Sequence, residues 1–219
     1  MNEFLQNLWQ MQKPLMATGL GFLAVTGILA ILWQFDSTQI LGVNRWIKPI
    51  KFSVSAAIFL FTVAVYLFYL PRFDFIKISV RWMTIIAMTG EVFLITMQAA
   101  HNTTSHFNVA NPFDSAVFSA MALMIFVNTL VIVALTFLYF QADINLPPAI
   151  IWGFRLGAIV FILGSIEGGF MASHGSHTVG AADGAKGLPF VNWSVSEGDL
   201  RCRTILSDFT LYRQFRLPH

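Results

Sequence analysis

Residues 115–141 read SAVFSAMALMIFVNTLVIVALTFLYFQ, without one Asp, Glu, Lys or Arg. A helix of about 20 apolar residues crosses the hydrocarbon of a bilayer, so this run is long enough to span. Four others join it. Residues 14–35 and 52–70 carry no charge, residues 82–100 carry only Glu91, and residues 149–173 carry Arg155 and Glu167. Unpaired backbone groups in lipid are too costly for open strands, and the period-2 alternation of a membrane barrel is missing. The expected fold is all-α, a polytopic membrane helical bundle with about five transmembrane helices at those positions.

Composition agrees. Of 219 residues, 56% are hydrophobic and 11% charged, where soluble domains carry roughly 25% charged residues. Mean hydropathy is +0.68. A net charge of +2 gives no reason to expect nucleic acid as a partner; the expected surroundings are the lipid bilayer and other membrane subunits. The single cysteine, Cys202, rules out a disulfide framework and a Cys-based zinc site within one chain. Residues 1–13 are polar and amphipathic and lack a signal-peptide pattern, so the first run is expected to stay as a span. Short connections at 36–51, 71–81, 101–114 and 142–148, with Pro71, Pro112, Pro147 and Pro148 at helix ends, make neighbours antiparallel. Residues 1–201 read as one transmembrane domain. The Lys and Arg distribution favours a cytoplasmic N-terminus.

Ionisable residues inside lipid are costly and usually functional. Glu91 lies mid-span, and Thr84 and Gln98, one seven-residue step either side, share its helix face. Asn102 extends that polar stripe. Glu167 and His174 are spaced alike in the last run, and His177 follows His174 in a spacing that suits two ligands on one metal if the helix continues. The third and fifth runs point the same way, so His101, His106, His174 and His177 should gather on one outer face. Arg45, Lys48 and Lys51 reach that face too, as an anion-binding group or as interfacial anchors beside Trp46.

Three functions are open on this reading. His106, His174 and His177 could bind a metal ion or haem for a redox role, with Glu167 orienting a ligand. Glu91 and Glu167 could be proton or ion coupling groups of a small transporter or channel. The polar groups could only hold helices together in an assembly subunit, as the mid-span Asn128 suggests. No nucleotide-binding, serine-hydrolase or zincin motif is present, and no catalytic residue is identified.

The stretches WIKPIKFSVS (46–55), GEVFLITMQAAHNTTSHFN (90–108), PFDSAVFSAMALMIFVNTL (112–130) and HTVGAADGAKGLPFVNWSVSEGDLR (177–201) resemble those of an uncharacterised family of bacterial multi-pass inner-membrane proteins. The resemblance implies a plasma (inner) membrane location and no mechanism. It also implies a further His-bearing helix after the GDLR motif, and Arg where His101 stands, which favours the other three histidines as ligands. Residues 202–219 depart from that pattern. They are expected to be an irregular, non-native tail, read from a shifted or truncated frame.

Overall fold

The computed structural model describes residues 2–40 and 43–174, with side chains as far as residue 169. Two units divide the chain. The larger comprises Met1–Ile40 and Asn44–Glu167. Of the smaller, the described part is Val43 and the helical turns of residues 168–174. The expected tail at 202–219 lies outside the described residues.

Helix α1 (Asn2–Met11) is followed by α2 (Lys13–Phe35), a ladder of two short strands, β1 (Gln39–Ile40) and β2 (Val43–Asn44), and then α3 (Ile47–Tyr69), α4 (Asp74–Ala100), α5 (Pro112–Gln141) and α6 (Pro148–His174). Helices α2 to α6 are each long and apolar enough to cross a membrane. The protein is an all-α, multi-pass integral membrane protein. Large apolar side chains point outward along every span, among them Ile31, Ile58, Phe93, Leu123 and Val160. Such a surface needs lipid as its solvent.

Two of the boundaries differ from the sequence expectation. Helix α3 begins at Ile47, not at residue 52, and α4 begins at Asp74, not at residue 82. Hydropathy marks where a helix meets lipid, whereas the helix itself extends through charged turns in the headgroup region. Lys48, Lys51, Lys77 and Arg81 therefore stand on helices rather than in loops.

Packing inside the larger unit is ordered by small residues and by regular seams. Gly19 of α2 lies against the Phe61 ring of α3, where a Cβ would collide with it. Thr26 Oγ1 and Ser53 Oγ join the same two helices at 2.7 Å. Helices α4 and α5 meet along a heptad-like seam. Val80, Thr84, Ala87, Glu91, Ile95 and Gln98 are buried on α4, and Asp114, Val117, Met121, Asn128, Ile132 and Leu135 on α5. Gln98 Nε2 donates to Asp114 Oδ1 at 2.8 Å, and Gly90 lies against Met124. These two contacts fix the antiparallel register.

At the N-terminal end of the spans, Phe4 of α1 packs edge-on against Phe68, with centroids 5.5 Å apart. Gln12 is buried and accepts from both Nε and Nη2 of Arg81. Tyr139 Oη donates to the Tyr66 carbonyl at 2.7 Å. Tyr66 Oη donates to the Phe154 carbonyl at 2.6 Å, and Arg155 Nε to the Tyr139 carbonyl at 2.9 Å. These bonds tie the start of α6 to α3 and α5.

Candidate functional site

The opposite end of the bundle carries Asp36, Arg45, Lys48, His106 and Asp114. Helix α4 stops there in a left-handed cap. Asn102 has φ 56°, its N–H reaches the Ala99 carbonyl, and the Thr103 N–H reaches the Gln98 carbonyl. This is the 6→1 and 5→2 bonding of a Schellman ending. Asn102 thus leaves the polar stripe: it is exposed and ends the helix. The remaining three members, Thr84, Glu91 and Gln98, lie 0%, 3% and 0% exposed on the α4 seam.

Helix α5 starts with Asn111 as N-cap and Pro112 at its first position. The Asp114 N–H donates to Asn111 Oδ1, and Asn111 Nδ2 donates back to Asp114 Oδ2 at 2.7 Å. A carboxylate in the first turn suits the positive end of the helix dipole. That geometry aims Asp114 Oδ1 at Gln98. The sequence reading left Asp114 in a loop, although Asn-Pro-x-Asp is a legible helix start.

Below Asp114 the seam becomes under-bonded. Among the described residues, four buried oxygens have no hydrogen-bond partner: Gln98 Oε1, Glu91 Oε1, Thr84 Oγ1 and Asn128 Oδ1. Thr84 is as far below Gln98 as Asn128 is beyond Asp114. Both therefore lie about 21 Å along the seam at the 1.5 Å helical rise. Glu91 is halfway, opposite Met121. Buried oxygens are almost always satisfied, so four such oxygens, three at seven-residue spacing on α4 and one on α5, are unusual.

The three cations do not converge on one anion site. Arg45 is committed to Asp36: its Nε donates to Oδ2 at 2.6 Å, with Nη2 at 2.5 Å. Trp46 Nε1 donates to the same oxygen at 2.7 Å, and the Thr38 N–H to Oδ1. These hydrogen bonds, Thr38's foremost, hold the Asp36 carboxyl well below the usual carboxylate range. Lys51 is exposed. Only Lys48 turns inward. Its Nζ lies 3.3 Å from His106 Nδ1 and 6.0 Å from the centroid of the Phe52 ring. An ammonium can only donate, so Nδ1 accepts and the His106 ring proton is assigned to Nε2. Ser105 Oγ lies 3.0 Å from the same nitrogen. The His106 ring packs against Phe52 and Phe118. Lys48 and Glu91 also attract each other electrostatically, but they form no ion pair within 4.0 Å.

His106 is thus the described histidine of the expected metal set. His174 is the last residue of α6, with its side chain outside the described residues, and His177 lies beyond them. Among the described residues, no group of three His, Cys, Asp or Glu could hold a metal ion. Glu167 is half-buried on α6. No hydrogen bond or ion pair among the described residues links it to Glu91. The structure pairs Lys48 with His106 and Gln98 with Asp114 toward one end of α3, α4 and α5, with Glu91 one heptad step deeper than Gln98 on α4. Comparison with protein-family models, with curated proteins and with solved structures returned no match to this chain.

Proposed function

We propose that this multi-pass membrane protein moves an ion across its membrane, with Glu91 as the group that handles the ion and Lys48 with His106 at its mouth. One observation carries the reading. Glu91 is 3% exposed within a membrane-spanning helix, and one of its carboxylate oxygens has no partner. Leaving such a group unsatisfied is expensive, and acids placed so in spans usually serve ions or protons. A purely structural role would be met by an uncharged side chain, as Gln98 meets it by donating to Asp114. The redox alternative rests on His106, whose Nδ1 is already engaged by Lys48, and on two histidines whose side chains lie outside the described residues. The resemblance to bacterial inner-membrane proteins supports the plasma membrane as the site of action.

Gradient dissipation in proteoliposomes tests this. Purified protein is reconstituted and an imposed pH or Na⁺ gradient is followed optically. Glu91→Gln, which keeps shape and removes the charge, should slow the protein-dependent flux about tenfold or more, a barrier change of roughly 1.4 kcal/mol. Circular dichroism and a monodisperse elution profile would confirm that the variant folds. Equal rates for the two proteins, or no flux above empty vesicles, would falsify the reading.

A further inference from the structure

We propose that the ion handled at Glu91 is the proton and not a metal cation, and that it reaches Glu91 through water held by the unpartnered oxygens of the α4–α5 seam. The inference rests on the ion-moving reading above and names its substrate.

A dehydrated hard cation needs several oxygen ligands, about six, at roughly 2–2.6 Å. Glu91 offers one carboxylate. Its seam neighbours on α4 are Ala87 and Ile95, and the register sets Met121 opposite. A thioether is a soft ligand, ill suited to such ions. The next unpartnered seam oxygens, on Gln98 and Thr84, are each about 10 Å away along the axis. No second oxygen of the row falls within coordination distance. A proton needs only the one oxygen.

Among the described residues, few ionisable groups lie toward Glu91. From α3 it is Lys48. From the loop after α4 it is His106, held to Lys48. From α5 the nearest is Asp114, one seam step away and bonded to Gln98 and Asn111. Helix α2 carries no ionisable residue beyond Lys13, and Arg81 on α4 lies toward the far end, bonded to Gln12. The cationic neighbour of Glu91 is therefore Lys48, at the mouth. A bound Na⁺ would remain a second cation near that ammonium, whereas a bound proton is taken up into a neutral carboxylic acid. When Glu91 takes up a proton, its carboxylate becomes a neutral acid, its pull on Lys48 ends, and Lys48 keeps His106 as its partner. When the proton leaves, the attraction returns. Charge balances at each step and no co-reactant is required.

Gln98 Oε1, Glu91 Oε1 and Asn128 Oδ1 are acceptors, and Thr84 Oγ1 both donates and accepts. Water donating to each satisfies all four, and buried water bonds to such orphaned groups. At about 2.8 Å per hydrogen bond, two to three water molecules span each 10 Å interval. The row ends level with Thr84 and Asn128.

Infrared titration of the full chain in lipid nanodiscs reads the Glu91 proton directly, with the carbonyl stretch of a protonated carboxyl as the signal. The expected result is a band that grows on acidification, is absent in Glu91→Gln, and keeps its midpoint when Na⁺ replaces choline in the buffer. Thr84→Val with Asn128→Leu removes the end of the row. In proteoliposomes that variant should cut proton flux about tenfold while the Glu91 band still titrates. A midpoint displaced by Na⁺, or flux driven by a Na⁺ gradient, would overturn the proton while leaving ion movement intact. Unchanged flux in the double variant would overturn the water path. A spectrum with no band removed by Glu91→Gln, together with no flux, would overturn both this inference and the ion-moving reading.

Discussion

Asp36 shows how one residue can redirect the chemistry of its neighbours. Three donors converge on its carboxylate, and they cancel Arg45 as a free cation and pin Trp46 at the start of α3. Because the folded-state carboxyl sits below its ordinary range, its stabilising effect is present above the unfolded value. It is lost only as pH falls through the lower folded one. Wild-type protein should therefore show no loss of this hub between about pH 5 and 8. Asp36→Asn weakens the hub at every pH in that window, so its thermal midpoint should lie below wild type by a constant margin. A margin that vanished at pH 5 would mean that Asp36 already titrates there. None of this was legible in the sequence, where Arg45 read as an anion ligand. Its true partner is a carboxylate nine positions back, brought near by a turn and a two-residue ladder that no periodic pattern announces. Glu91 was legible, because a charge amid apolar residues needs no tertiary information to be noticed.

Helices were readable as far as lipid writes them. Four of the five runs sit inside their helices, and the run 52–70 overshoots α3 by one residue, because apolar length is a property of the sequence alone. The starts of α3 and α4 were not readable, since Lys48 and Arg81 are charged and yet helical. The seam register came from Gln98 bonding Asp114, a pairing across two helices that local spacing cannot give. At this scale the close approach of α2 and α3 makes a sharp test. A Cβ on Gly19 would meet the ring atoms Cε1 and Cζ of Phe61, while one on Gly21 meets nothing within 4 Å. Overpacking of this kind costs about 1–3 kcal/mol. Gly19→Ala should lower the unfolding midpoint in a detergent titration, and Gly21→Ala should leave it level or raise it slightly through helix propensity. Equal effects at both positions would mean that α2 and α3 are not packed through Gly19.

Span parity governs the molecule as a whole. Three spanning helices separate Gln10 from the loop at Val109, and four separate it from Asn145. Gln10 and Asn145 must then face one compartment and Val109 the other. Of the cations on the described spans and their ends, Lys13, Arg72, Lys77, Arg81 and Arg155 stand on the Gln10 side; Arg45, Lys48 and Lys51 stand on the Val109 side. Since Lys and Arg are retained on the cytoplasmic face, the Gln10 side should be cytoplasmic. The mouth formed by Lys48 and His106 then opens outward, where an energised membrane presents protons. Single cysteines read this out in a Cys202→Ser background, using a membrane-impermeant maleimide on sealed vesicles of known orientation. Val109→Cys should label from the outer face of the membrane. Gln10→Cys and Asn145→Cys should label from the cytoplasmic face only. If Gln10→Cys and Val109→Cys reacted from one side, three spans could not lie between them and the bundle would have to be redrawn. If all three positions reacted from the faces opposite to those expected, the bundle would stand but be inverted, and the Glu91 path would open to the cytoplasm.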